Sequence, residues 1–235
     1  MVIPVAVAIG TFVLNRSAQR RDDAAQQAQR KSEEQLQHQR TEDATLQAYL
    51  DYMSGMLTDP DRPLQRSHLG DTLSVAARAQ TLTALRRLQD GERKGSAIQF
   101  LYEAGLINNC PVISLQAASL QAANLLRADL RGAILQEANL RVASLQAASL
   151  QAAFLGIADL QAANLQEADL SGANLFGANL RRADLQAARL QGANLQGALN
   201  LTQEQINEAL GDENTQLPVH LQRPKHWIRG DPGES

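Results

Sequence analysis

Residues 113–200 read ISLQAASLQAANLLRADLRGAILQEANLRVASLQAASLQAAFLGIADLQAANLQEADLSGANLFGANLRRADLQAARLQGANLQGALN. Leucine stands at position 115 and at every fifth position through Leu195, 17 times without a gap. Ala lies two residues before the Leu in 16 of those 17 cases, Ile113 being the exception. Between them comes Asn, Asp or Ser in 14 cases, as in Ala123-Asn124-Leu125 and Ala168-Asp169-Leu170. A fixed period of this strictness is the signature of a repeat architecture.

Propensity alone misreads the stretch, because Ala, Leu and Gln all favour helix. Five residues of α-helix turn about 500°, so successive leucines would step about 140° around the axis and be exposed on every face. On an extended chain, Ala and Leu two apart point to one side and the residue between them points to the other. The next Ala comes three residues after the Leu, an odd step, so the chain must turn a corner within each repeat. Four corners close a square coil of 20 residues, and coils stack at about 4.8 Å. Leu then fills the interior, Ala fits where the walls crowd it, and Gly132, Gly172, Gly177, Gly192 and Gly197 fall at corners two residues after the Leu. Each buried Leu is worth roughly 1.5–3 kcal/mol, which supplies a core in a chain with only 3% aromatic residues.

The stretch resembles the pentapeptide-repeat proteins, whose motif is A(D/N)LXX. That resemblance implies a right-handed quadrilateral β-helix over residues 113 to about 200. Two flanks also look like parts of membrane-linked bacterial members, which carry a helical module before the repeats. One includes Leu82-Thr83-Ala84-Leu85 and Phe100-Leu101-Tyr102-Glu103-Ala104-Gly105-Leu106-Ile107; the other is Gly211-Asp212-Glu213-Asn214-Thr215-Gln216-Leu217-Pro218.

Outside the repeat the pattern changes several times. Residues 2–14 form an apolar run, followed at once by Arg16, Arg20 and Arg21. A helix of that length covers about 20 Å against a hydrocarbon core of roughly 30 Å. It reads as part of an anchor, as a short anchor, or as a signal peptide around Ala6-Val7-Ala8, although a signal peptide carries its positive charge before the run. Positive charge after the run predicts a single N-terminal membrane anchor with the bulk of the chain cytoplasmic. Residues 16–45 are rich in Ala, Gln, Arg and Glu with Leu36 the one large apolar residue, which reads as a helical stalk or a charged linker. From Leu46 the apolar spacing is helical again. A turn follows at Asp59-Pro60-Asp61-Arg62-Pro63, then a helix from Asp71 with Leu73, Val75, Ala76, Ala79, Leu82, Leu85 and Leu88 on its apolar face. A third, bracketed by Gly91 and Gly95, sends Ile98, Phe100, Leu101 and Leu106 to a core. Thr202 and Gln205 form a capping-box pair opening a helix that can plug the last coil, and the tail with Trp227 is expected along the side of the rod.

The expected order is therefore an apolar anchor at 1–15, a stalk or linker at 16–45, a small helical module at 46–110, the pentapeptide-repeat β-helix at 111–200, and a capping helix with extended tail at 201–235. The fold class is a mainly β solenoid preceded by helices.

Function has to be read from the outward residues. Residues 20 apart stack vertically, so one face collects Ile134, Phe154, Ile157 and Phe176, with Ile134 and Phe154 in place of the usual Asn or Asp. An apolar patch on a polar rod is either a partner-binding surface or the place where the module, stalk or tail folds back. A Leu-packed solenoid offers no cleft, and the sequence holds no nucleophile–base set, metal cluster or phosphate loop, so no enzyme and no cofactor is expected. Cys110, His68, His220 and His226 have no companions at ligand spacing. The reading is a non-catalytic, membrane-tethered scaffold that binds a protein partner, with a homodimer compatible and no nucleic acid expected. The alternative comes from the resemblance, since some pentapeptide-repeat proteins inhibit DNA gyrase by imitating duplex DNA. Such mimicry needs an acidic surface, whereas residues 111–200 carry six acids and six arginines.

Overall fold

The computed structural model describes residues 3–108 and 110–227, with side chains from residue 24 onward. The chain divides into two compact units, Met1–Ala44 and Thr45–Ser235. The first belongs to helix α1 (Ile3–Thr58), in which residues 24–41 are exposed throughout. With one large apolar residue in that stretch, helix propensity and pairs such as Gln29 donating to Glu33 at 3.0 Å are what favour the helical state.

The expected N-terminal membrane anchor, and the location built on it, are corrected. No helix among the described residues is long and apolar enough to cross a membrane. The apolar run gives way to Asn15 and Arg16 while the helix continues into charged sequence. The side chains of residues 2–14 lie outside the described ones.

In the second unit, the last turns of α1 bury Tyr49 and Met53 and end at the Asp59–Pro60 turn, where Asp59 accepts the N–H groups of Asp61 and Arg62. Helix α2 (Thr72–Arg87) starts after Asp71, and helix α3 (Gly91–Glu103) is capped by Asp90, whose carboxylate accepts the Arg93 N–H at 3.0 Å. The buried face of α2 differs from the apolar count. Val75 is 54% exposed, while Ser74 and Thr81 are buried. Both hydroxyls are satisfied, Ser74 by the Val112 carbonyl and Thr81 by the Tyr49 hydroxyl at 3.0 Å.

From residue 113 the chain winds into square coils. Thirteen parallel bridges link residues 20 apart, from Ser119–Asn139 to Asn179–Leu199, and every link is a single residue wide, so the walls hold no continuous strands. Each coil hydrogen-bonds to the next through its backbone, as in Leu120 N–H to Asn139 at 2.8 Å and Asn139 N–H to Ala118 at 2.9 Å. The repeat leucines from Leu115 to Leu195 are at most 2% exposed. Corners are turns closed by bonds such as Ala118 N–H to Leu115 at 3.0 Å. The residue two after each Leu sits at φ 54° to 67° at all 17 corners, glycine or not, the positive φ of a type II turn.

The second half of the corner chemistry explains the Asn and Asp. Their side-chain oxygens accept the N–H two residues on, as Asn174 does from Phe176 at 3.0 Å and Asp169 from Ser171 at 3.0 Å. These are Asx turns, which hold the corner that a left-handed residue must follow.

Both ends of the coil are closed. At the first, backbone carbonyls and an N–H that no earlier coil can pair are met by the helical module. Arg78 donates to Ser114 and Gln116, buried Lys94 donates to Gln121 at 2.8 Å, and the Gly91 carbonyl accepts the Asn124 N–H at 2.9 Å. Gly91 and Gly95 do not bracket α3 but form its contact with the coil. A Cβ at either would come within 2.1 Å of a backbone oxygen, of Ala122 and Asn124 respectively. At the far end the expected capping box is present on α4 (Gln203–Glu208), and the Gln205 amide also donates to Leu180 and Ala183. The tail then adds one more irregular layer, in which Leu210 pairs with Arg189 and Gln216 with Asn194. Trp227 is 5% exposed and closes this layer rather than lying along the side of the rod, its indole N–H donating to Ala209 at 2.9 Å.

Candidate protein-binding face

Ile134 and Phe154 occupy the same outward position on adjacent coils and are bridged to each other through their backbones. Ile157 and Phe176 stand at the next corner, where the Ile157 N–H donates to the Phe176 carbonyl at 2.9 Å. A glycine lies beside each, at a distance where a Cβ would make ordinary van der Waals contact. The Ile157 side chain lies 3.6 Å from where a Gly177 Cβ would be, and the Phe176 ring 3.7 Å from that of Gly197. Phe154, Phe176 and Ile157 are 44%, 51% and 65% exposed.

This face carries several local costs at once. Ile134 and Phe154 offer no acceptor to the N–H groups of Gln136 and Gly156, where an Asn or Asp would. Ile157 is β-branched yet held at φ 59°, a conformation its side chain disfavours. The two buried side-chain oxygens with no hydrogen-bond partner among the described residues, on Gln136 and Gln151, flank the same face on either side. Val142 shares the strain of Ile157 on a different corner, and nothing in the structure explains it.

The sequence does not reveal that half of the patch forms one wall of a groove. A hollow of about 950 Å³ runs between Ile134 and Phe154 on the rod and residues 65–69 with Cys110–Val112 on the module. Leu69, 51% exposed, adds an apolar side chain from the module side. The only sequence signal is an isolated Leu in a polar turn. Ile157 and Phe176 do not line this groove.

Charge is sparse here. Gln151 donates to Asp169 at 2.7 Å. Burial pushes the Asp169 carboxyl up, but hydrogen bonds from Ser171 and Gln151 outweigh it and hold the group below the usual carboxylate range. Among the described residues no cluster of His, Cys, Asp or Glu could hold a metal. Of the histidines, His226 meets the Ala209 carbonyl, and His68 lies 3.7 Å from Asp71.

The repeat now has a name. A family model described as pentapeptide repeats matches eight copies, over residues 113–151, 123–161, 143–182 and 158–197. The solved structure of alr5209, a pentapeptide repeat protein from Nostoc PCC 7120, is 31% identical over 55% of this chain and 94% of its own, with a TM-score of 0.30. The chain belongs to the pentapeptide-repeat family. Its fold is accordingly the right-handed quadrilateral β-helix of that family. HetL, a pentapeptide repeat protein involved in heterocyst differentiation regulation from the cyanobacterium Nostoc sp. strain PCC 7120, is 35% identical over 44% of this chain, with a TM-score of 0.30. The match spans 53% of the HetL chain, about half its length. QnrB1, a plasmid-mediated fluoroquinolone resistance protein, is 18% identical over 49% of this chain and 62% of its own, with a TM-score of 0.29. No curated protein matches.

Proposed function

We propose that this pentapeptide-repeat protein is a non-catalytic binding module, a rigid rod that docks a protein partner on the face formed by Ile134, Phe154, Ile157 and Phe176. The observation that carries the reading is the coincidence of missing turn acceptors, a strained β-branched corner and unpaired glutamine oxygens around one exposed apolar patch. A missing acceptor recurs at Arg189 and a β-branched corner at Val142, but on this face they coincide, and sequences depart from local consistency chiefly where function demands it. The DNA-mimic alternative finds no acidic stripe to rest on. The rod carries as many arginines as acids, and Asp129 and Asp159 are paired with Arg131 and Arg141.

The test compares the full chain with a Phe154→Asp, Phe176→Asp double variant after chemical crosslinking in cells. Partners present with the parent and lost with the variant are expected. A second copy of this chain among the lost species would make the face a dimer interface. Identical crosslinked sets would overturn the proposal.

A further inference from the structure

We infer that the groove between the 65–69 segment and the Ile134–Phe154 face takes a short segment of a partner protein in which apolar side chains stand beside a carboxylate. The inference rests on the docking reading above and names what the partner must present.

The groove is of a size that encloses small ligands or a few residues of peptide. Its apolar surface comes from Leu69, Val112, Ile134 and Phe154, the last two on stacked coils that cannot move apart without breaking the backbone bonds of the rod. Its charge is one-signed. Arg66 and His68 line it, and among the described residues no acidic one does. Asp71 accepts the His68 N–H at 2.7 Å and faces the His68 ring, and it lines a neighbouring hollow with Asp61, Arg62 and Arg66. Arg66 is exposed, lines this groove as well as the neighbouring hollow, and makes no ion pair among the described residues, so its guanidinium is available to a carboxylate brought into the groove. A planar guanidinium in a groove with apolar walls selects a carboxylate through a fork geometry that lysine or glutamine cannot offer. The small corners Gly132 and Ala152 line it on the rod side.

The experiment uses the full chain and three sets of acetylated, amidated octapeptides in a Ser/Gly background. Each combines Phe and Leu with two glutamates, two lysines or two glutamines, and binding is read by fluorescence anisotropy. The glutamate set is expected to bind about tenfold tighter than the lysine set, a contrast in keeping with one well-placed charge pair. Arg66→Glu is expected to reverse that order, and Phe154→Asp to abolish binding of all three while the circular dichroism of the rod is unchanged. Equal binding of the three sets, no binding by any, or an order unaffected by Arg66→Glu overturns the inference. Loss of crosslinked partners in the Phe154→Asp, Phe176→Asp variant with no peptide bound would leave the docking face standing and remove the groove. Glutamate-selective binding with partners unchanged would do the reverse.

Discussion

Gly211 and Trp227 share one interior position. Leu210 pairs with Arg189, so Gly211 stands above Leu190, in the place where every lower layer directs a leucine inward. The glycine has no side chain to send there, and the indole of Trp227 fills the space. A Cβ on Gly211 would lie 2.4 Å from one indole carbon and 2.6 Å from two others. The plug of the solenoid is thus supplied from further along the chain, by Trp227.

Removing the plug should therefore loosen the last coil without unwinding the first. Trp227→Ala is expected to cost about 3–5 kcal/mol locally, the range for deleting a buried indole, and Gly211→Ala about 1–3 kcal/mol through overpacking. A solenoid frays layer by layer, so amide exchange should rise at Leu190 and Leu195, whose N–H groups bond to Leu210 and Gln216. It should stay slow at Leu135 and Leu140. Uniform acceleration along the whole rod would count against a local plug.

The other end depends on close approach. Helix α3 lies on the first coil through Gly91 and Gly95, and an added Cβ at either meets a backbone oxygen at 2.1 Å, which no rotamer change can relieve. Gly95→Ala is expected to destabilise by about 2 kcal/mol or more, although Ala in an exposed helix would normally stabilise by up to about 1 kcal/mol. The sign of the change decides the matter, and chemical denaturation measures it. A stabilised Gly95→Ala would mean that α3 does not rest on the coil.

Acid should weaken the far cap. Burial raises the Asp212 carboxyl, but bonds from the Gly192 N–H, Thr215 and Asn214 prevail and lower it below the ordinary value. A carboxyl with a lowered folded pKa contributes stability that is complete above its unfolded value of about 3.9 and fades as pH falls through the folded one. Asp169 and Asp129 act in the same direction. Stability should hold from neutral pH to roughly pH 5 and fall below about pH 4. Asp212→Asn should flatten part of that fall, seen as a smaller change in denaturation midpoint between pH 6 and pH 3. An equal slope in parent and variant would assign the acid lability elsewhere.

How much of this is legible in the sequence depends on whether a signal repeats. Leucines every fifth residue determine the coil, and the capping box at Thr202 and Gln205 is readable because it is local. What escapes is long-range. Nothing near Trp227 says that Gly211 lacks a side chain for its sake. Gly91 and Gly95 look like helix boundaries because glycine weakens helices, and only the first coil, at Ala122 and Asn124, shows why they must be small. The groove wall at Leu69 likewise exists only once the module is placed. The anchor expectation is overturned for a different reason, since no helix among the described residues is long and apolar enough to cross a membrane.

The docking face makes the sharpest claim about stability against function. Ile157 holds a β-branched side chain at φ 59°, where glycine stands two coils away at Gly197 and one coil away at Gly177. Ile157→Gly should stabilise the rod by about 1 kcal/mol, since a left-handed conformation costs an ordinary residue roughly 1–2 kcal/mol. Phe154→Asn should add a further few tenths by restoring an acceptor for the Gly156 N–H, as Asn174 provides for Phe176. If the patch were only a structural accident, both changes would be gains without loss. The docking reading instead requires that each raise the midpoint of thermal unfolding while weakening partner capture severalfold, the trade expected where strain is kept for binding. A thermal scan and a crosslinking yield on the same two variants decide between them. Higher stability with undiminished capture would strip the face of its role.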